Sequence, residues 1–344
     1  MKRSLVGKTP EELSRIAVQA GLPPFAGKQI ARWLYVNRVS EIAQMTNLSK
    51  AGREALEKEW EPGWVHPIAK SKSADGTVKY LFPVGGDSSN AVEAVMIPDG
   101  ERKTLCVSSQ AGCKMGCRFC MTGRQGFHGN LDAAAILSQF FKIEEADELT
   151  NCVFMGMGEP LDNWEQVKRV LEILTAPWGL GWSPKRITLS TIGVLPRLKE
   201  FLDSSRCHLA VSLHNIFPQE RAEMMPAQKA WSISEIIRLI KQYDFSGQRR
   251  VSFEYTVFEG WNDDFAHADA LAQALRGLEC RVNLIRFHRI PDFPYESCPP
   301  AKMEAFRARL ESHGVTATIR ASRGEDIDAA CGLLAGKHRS ESQL

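Results

Sequence analysis

Thr104-Leu105-Cys106-Val107-Ser108-Ser109-Gln110-Ala111-Gly112-Cys113-Lys114-Met115-Gly116-Cys117-Arg118-Phe119-Cys120 runs from a short strand-like stretch directly into three cysteines on a glycine-containing loop. β-branched and apolar runs of the same kind follow at Cys152 to Met155, Arg186 to Thr191, His208 to Ser212, Val251 to Val257, Val282 to Phe287 and Val315 to Ile319, with helical stretches between them. Repeated strand and helix alternation predicts a mostly parallel sheet covered by helices. The sheet is expected as an open doubly wound sheet or as a full or partial barrel, and in each the ligands gather beyond the strands' C-terminal ends. The cysteine loop occupies such an end. So do Glu159 after the second run, Ser190 within the third and His214 after the fourth.

Cys113, Cys117 and Cys120 supply three thiolates, one short of the four that close a structural zinc site or hold most iron-sulfur clusters. Three ligands on a four-iron cluster leave one iron free to bind a substrate or cofactor. The spacing alone leaves zinc coordination or buried, unligated cysteines open. Met155-Gly156-Met157-Gly158-Glu159-Pro160 reads by itself as a strand-to-loop turn. Glu93, within the apolar run Val92-Glu93-Ala94-Val95, is either solvent-facing by alternation or aimed into a site, and the first is the commoner case. Cys106 and Cys331, each isolated, read as small core residues.

The chain of 344 residues is 44% hydrophobic and 24% charged, enough for one large core and an accessory unit. No apolar run reaches membrane-spanning length, and Met1 to Pro10 lacks the apolar core of a signal peptide, so a cytoplasmic protein with no membrane partner is expected. Nine cysteines, an odd count with three bunched together, suit metal or catalytic use in a reducing compartment. Residues 1–60 hold ten Lys/Arg against six Asp/Glu, whereas the rest is slightly acidic at 33 against 35. The basic excess therefore sits at the N-terminal end. There, Thr9-Pro10-Glu11-Glu12 predicts a capped helix ending near Gly21. A second helix is expected with Ile30, Trp33 and Leu34 on one face, and a third from Ser49 with Leu56 inward. Val78 to Phe82 and Val92 to Ile97, separated by Gly85-Gly86-Asp87, read as a β-hairpin linking this helical module to the rest. Residues 336–344 read as a frayed polar tail.

Together these residues carry a resemblance. The Cys-x3-Cys-x2-Cys spacing is the signature of radical S-adenosylmethionine (SAM) enzymes. Thr104 to Gln110 running into the triad, Gly158-Glu159-Pro160, Ser212-Leu213-His214 and Arg323-Gly324-Glu325-Asp326-Ile327-Asp328-Ala329-Ala330-Cys331-Gly332 resemble the RlmN/Cfr family of radical methyltransferases. The likeness extends from Lys28-Gln29-Ile30-Ala31-Arg32-Trp33-Leu34-Tyr35 to Cys331. It implies an α/β fold, a radical SAM partial (βα)6 barrel with an N-terminal helical accessory domain and a linking β-hairpin. The corresponding boundaries are 1–60 for the RNA-binding helical domain, 61–98 for the hairpin extension, 99–326 for the core and 327–344 for the C-terminal segment.

By position, the resemblance makes Cys113, Cys117 and Cys120 the ligands of a 4Fe-4S cluster. Gly158, Glu159, Ser190, Ser212, Leu213 and His214 match the family's SAM contacts, the glycine-rich motif holding the methionine amino group. Cys331 matches the methyl-carrying cysteine, Cys106 its partner thiol in a transient disulfide, and Glu93 a proton acceptor. The implied activity is methylation of an adenosine ring carbon, carbon 2 ahead of carbon 8, in 23S rRNA and, in one branch, tRNA. Those carbons are sp2 centres without a lone pair, so electrophilic methyl transfer does not reach them and a radical must add. Two SAM molecules per turnover follow, one methylating Cys331 and one cleaved reductively, with an electron donor such as flavodoxin. A monomer is expected. A radical SAM enzyme acting on a peptide or small molecule, and a zinc-stabilised RNA-binding module, are the competing readings.

Two positions depart from the family pattern. His288, in Val282-Asn283-Leu284-Ile285-Arg286-Phe287-His288, stands where the family has an asparagine contacting SAM, and a histidine offers a comparable hydrogen bond. Gln228, in Pro226-Ala227-Gln228, likewise replaces an asparagine.

Overall fold

The computed structural model describes residues 2–336 except Ser246 and Gln248, and omits the side chains of residues 87–89. The expected frayed tail lies almost wholly outside the described residues.

Seven parallel strands, Arg102–Cys106, Asn151–Phe154, Ile187–Thr191, His208–Ser212, Val251–Val257, Arg281–Arg286 and Thr316–Ile319, lie side by side in chain order. A doubly wound sheet reverses its strand order at a switch point. This one never does, so the geometry is that of a partial barrel. Six helical crossovers, Ala133–Phe141, Trp164–Thr175, Leu195–Ser204, Ile233–Ile240, Phe265–Leu275 and Pro300–Ser312, alternate with the strands and make six βα units followed by a seventh strand. Alternation explains the layering. In Val251–Val257, Phe253, Tyr255 and Val257 are fully buried against the helices, whereas Ser252, Glu254 and Thr256 line the barrel's inner cavities.

The expected hairpin forms, with Val78–Val84 pairing antiparallel to Asp87–Asp99. Gly85 and Gly86 both have positive φ, 64° and 80°, as a tight two-residue hairpin turn requires. It is no free-standing link. Ala69–Lys72, Val78–Val84 and Asp87–Asp99 continue the main sheet beyond Arg102–Cys106 to ten strands.

The first helix, Pro10–Gln19, carries the predicted capping box of Thr9 and Glu12. Ala26–Tyr35 buries Ile30 and Leu34 completely, and Lys50–Glu59, capped by Ser49, buries Leu56. These helices share one continuous apolar core with the barrel. Polar ties cross the same boundary: Glu12 pairs with Arg169, and the backbone N–H of Val65 donates to Ser138 Oγ at 2.9 Å.

Candidate active site

The cysteine loop is shaped by backbone contacts on both sides. Gln110–Gly112 pairs with Phe127–Asn130, and Cys113 N–H donates to the Gly126 carbonyl at 2.8 Å. At Gly112 (φ 69°) a β-carbon would lie 1.9 Å from the Gly126 oxygen, so only glycine fits the turn that launches the triad. Cys113, Cys117 and Cys120 then face a cavity of about 170 Å³ at the C-terminal ends of the parallel strands. Burial pushes the Cys113 thiol up to about 12 and that of Cys117 well above the ordinary thiol value. Among the described residues no three His, Cys, Asp or Glu side chains converge on one ion-sized point. Three thiols on one loop, facing one cavity with space beside them, suit a multi-iron cluster with one thiol per iron.

The glycine-rich motif closes the next wall. Its backbone is zipped to the extension of the first strand: Gly156 N–H donates to the Val107 carbonyl at 3.1 Å, Met157 N–H to Ser108 Oγ at 2.8 Å, and Glu159 N–H to Gln110 Oε1 at 2.9 Å. A β-carbon on Gly158 (φ 98°) would fall 2.5 Å from Gln110. Glu159 braces the strand ends. Its carboxylate accepts from Thr191 Oγ1 at 2.6 Å, Ile192 N–H at 2.9 Å and Leu161 N–H at 3.0 Å. Burial raises its pKa to about 7 against these stabilising bonds. Since both oxygens are engaged internally, the backbone of 156–158 is what this motif offers to a ligand.

Gly158, Glu159, Ser190, Ser212 and His214 all line the cavity with the three cysteines and Cys331. His214 is held in the left-handed region (φ 57°), with Nδ1 accepting from Thr256 N–H at 3.0 Å and its carbonyl accepting from Asn262 Nδ2 at 2.6 Å. Burial lowers its pKa to about 3, so the ring is neutral, with the proton on Nε2. Leu213 is fully buried in the apolar core and does not face the cavity. His288 also lies off the cavity lining. Its ring is taken up by the C-terminal segment, with Nε2 3.2 Å from Ser322 Oγ and Nδ1 3.7 Å from Glu325 Oε1.

That C-terminal segment delivers Cys331. It is pinned first to the 73–77 turn, where Asp326 accepts from Ser73 Oγ at 2.6 Å and Ala74 N–H at 3.1 Å, and Gly324 N–H donates to Asp75 at 2.9 Å. Past Cys331 it is pinned to the cysteine loop: Met121 N–H donates to the Gly332 carbonyl at 2.8 Å, Thr122 Oγ1 to the Leu334 carbonyl at 2.7 Å and Gln125 Nε2 to the Ala335 carbonyl at 2.8 Å. Cys331, open to the cavity, hangs between these two anchors.

Glu93 is buried at 2% exposure rather than solvent-facing. Its Oε1 lies 3.1 Å from Lys79 Nζ, while Oε2 accepts from Ala335 N–H at 2.9 Å, so it ties the Cys331 segment to the hairpin. Burial raises its pKa in spite of Lys79. Cys106 ends the first parallel strand, and burial, reinforced by the charge of a Cys331 thiolate, pushes its thiol up to about 12. Both cysteines are free thiols, so the disulfide implied by the resemblance is not formed here.

Sequence reading missed two buried polar residues. Arg221, with no exposed surface, donates to the carbonyls of Leu213 (3.0 Å) and Ser212 (2.9 Å) and to Gln228 Oε1 (2.6 Å). Gln228 also accepts from Ile233 N–H at 3.0 Å, so the glutamine that departs from the family pattern partners a buried arginine. Nothing in Pro218-Gln219-Glu220-Arg221 signals this. Glu254, 3% exposed, was legible as a carboxylate in the apolar run Val251-Ser252-Phe253-Glu254-Tyr255, on the face it shares with Ser252 and Thr256.

Comparison with known proteins agrees with this geometry. Residues 107–272 match the Radical SAM superfamily, and residues 4–61 match the ribosomal RNA large subunit methyltransferase N-terminal domain. A probable dual-specificity RNA methyltransferase RlmN of Porphyromonas gingivalis W83 is 58% identical, with 98% of each chain covered. The protein of the same description from Geobacillus kaustophilus is 37% identical over 98% of this chain and 94% of its own. A crystal structure of a radical SAM methyltransferase from Sphaerobacter thermophilus superposes with a TM-score of 0.90 at 35% identity, covering 97% of this chain and 99% of that one. Among the described residues no helix is long and apolar enough to cross a membrane. With relatives of this identity matching nearly end to end, and a solved methyltransferase of the same fold, the chain belongs to the RlmN family of radical SAM methyltransferases.

Proposed function

We propose that the protein methylates a ring carbon of adenosine in 23S rRNA, carbon 2 ahead of carbon 8, with tRNA as a second substrate, through a methyl group carried on Cys331. The observation that carries the reading is the placement of Cys331 between two anchors, in the cavity that Cys113, Cys117 and Cys120 line and within electrostatic reach of Cys106. A radical enzyme acting on a peptide or small molecule needs no such pair. Cys113, Cys117 and Cys120 would hold the 4Fe-4S cluster, and the 156–158 backbone, Ser190, Ser212 and His214 would hold SAM. With both bound, the site would supply a carbon radical by reductive cleavage of SAM, the electron coming from a donor of the flavodoxin class. Leu213 and His288 act behind the cavity wall, through the backbone and the C-terminal segment respectively.

The chain's own residues divide the remaining work. Cys331 accepts the methyl group on sulfur with loss of its thiol proton, then presents the S-methyl carbon to the radical and to adenine. Once the adduct has given one electron back toward the donor and lost its ring proton, Cys106, protonated at rest, gives up its own proton and closes as a thiolate on Cys331 sulfur. The S–CH2 bond breaks with its electron pair on carbon, which takes a proton to become the methyl group, and the disulfide left behind is reopened by a cellular dithiol. Glu93 is near enough to the Cys331 segment to take the ring proton only after releasing Lys79 or Ala335. Residues 1–60 serve as the RNA-binding module, residues 61–98 extend the sheet, and 99–326 form the catalytic core. The basic excess of the first 60 residues supports that assignment, because phosphate neutralisation by Lys and Arg dominates RNA affinity. The protein acts as a cytoplasmic monomer in this reading.

Expression of Cys106→Ala with host RNA tests the proposal. A covalent protein-RNA adduct through Cys331 should accumulate, because its resolution is blocked. Unmethylated Cys331 in the wild-type protein by mass spectrometry, with no adduct in the variant, refutes it.

A further inference from the structure

Ser212, Glu254, Asn283 and Thr318 stand in register on four adjacent parallel strands. Three of them form a directional relay across the barrel's inner face: Thr318 Oγ1 donates to Asn283 Oδ1 at 2.8 Å, and Asn283 Nδ2 donates to Glu254 Oε1 at 2.7 Å. Ser252 Oγ also donates to Oε1, at 2.9 Å. All of this donor supply ends on one oxygen. Glu254 Oε2 is buried and has no hydrogen-bond partner, and the closest cation, Arg320 Nη1, stands 4.0 Å away, beyond hydrogen-bond reach. A buried carboxylate oxygen left without a donor is costly and calls for an occupant.

The position narrows the occupant. Glu254 lines both the cavity that holds Cys331 and a larger one of about 700 Å³ that fills the other end of the barrel. It therefore marks the junction between the cluster side and a second opening edged by Arg102, Arg250, Arg281 and Arg323. Its charge also acts on the Cys331 thiol, so the two groups are neighbours. A group that reaches Cys331 from the second opening passes Glu254, whose unpaired oxygen is Oε2. Burial raises the Glu254 pKa, opposed by Arg320 and by the bonds from Asn283 and Ser252. An incoming amino donor favours the ionised form, which only accepts hydrogen bonds. Adenine offers one donor on its base, the exocyclic 6-amino group, while its ring nitrogens are acceptors that a carboxylate repels.

We propose that Glu254 contacts the target adenine, its Oε2 accepting from the 6-amino group of the base while Asn283, itself held by Thr318, and Ser252 hold Oε1. The inference rests on the adenosine reading given above. It adds a group that tells adenine from a purine without the 6-amino group.

The test compares RNA substrates carrying adenosine or purine riboside, which lacks the 6-amino group, at the target position. The reconstituted wild-type enzyme should disfavour the purine substrate by about 10- to 100-fold in kcat/KM, the range for one such base contact. In Glu254→Ala the preference should shrink to about 3-fold or less, and normalising to that variant removes any intrinsic difference in ring reactivity. Competition binding of the two RNAs to the wild-type protein gives a readout independent of chemistry and of any variant's folding, and adenosine RNA should again be preferred. SAM affinity measured without RNA should be unchanged in Glu254→Gln. Equal wild-type handling of the two RNAs overturns the inference, as does a SAM affinity that falls in Glu254→Gln, which would make the cofactor the occupant. Failure of the wild-type enzyme to methylate the adenosine RNA at all strikes the proposed function instead, so the two failures are separable.

Discussion

Glu159→Gln tests whether a buried carboxylate really braces the SAM side of the barrel, because its charge makes the stability of the wild type depend on pH in a calculable way. In the fold its pKa is raised to about 7 from an ordinary value of 4.5, burial outweighing three hydrogen bonds. A raised folded-state pKa means the native state binds the proton more tightly than the unfolded chain. The associated stability is fully present below the unfolded pKa and is lost as pH rises through about 7. Between about pH 8.5 and about pH 5.5 the linkage integral gives the wild type a gain of about 2 kcal/mol that an uncharged glutamine lacks. Superimposed on this, glutamine turns an NH2 group toward Ile192 N–H or toward Leu161 N–H and Thr191, a donor facing a donor. The protonated wild-type carboxyl carries an O–H that meets the same donors, so at low pH the two proteins share this mismatch, whereas at high pH only the wild type carries the buried charge. Urea unfolding of both proteins without cluster, across this pH range, measures the difference. The wild type's stability relative to the variant should rise by about 2 kcal/mol as pH falls. Parallel profiles, or a relative stability that falls with pH, would refute the assignment of a buried, proton-shifted carboxylate at this position.

Two further perturbations test the contacts around the cavity wall. Arg221→Met leaves the carbonyls of Ser212 and Leu213 and the Gln228 amide without their charged donor, so a loss of about 3 kcal/mol or more is expected in chemical denaturation. His288→Ala should cost only about 1 kcal/mol, yet raise hydrogen exchange in residues 322–331, because the ring's contacts are with Ser322 and Glu325. Unchanged exchange there, together with a weakened SAM affinity, would return His288 to a cofactor role.

The two departures from the family pattern show how far sequence reading reaches. Both were visible as letters, yet their consequence was not, because hydrogen-bonding capacity says nothing about direction. Gln228 points at Arg221, and His288 points at the C-terminal segment, only because particular crossovers bring those chains together. Leu213 teaches the same lesson: it lies inside a cavity-lining tripeptide, but strand alternation turns its side chain into the core while Ser212 faces the ligand space. Strand period alone favours Glu93 as a surface residue. It became buried because the hairpin joins the main sheet and the Cys331 segment packs on it.

Local chemistry alone fixed a great deal: the capping box at Thr9, the two-glycine turn at Gly85 and Gly86, the alternation of strands and helices, and three thiols grouped on one loop are each determined within a few residues. Tertiary structure decided what depends on long-range closure. Strand order made the sheet a partial barrel, the sheet's extension absorbed the hairpin, and anchors more than two hundred residues apart in sequence set Cys331 beside the cysteine loop. The oxygen of Glu254 left without a partner reflects donors from its own strand and the next, Ser252 and Asn283, both directed to its other oxygen. A linear pattern encodes which face a side chain takes, but not which partners will be waiting there.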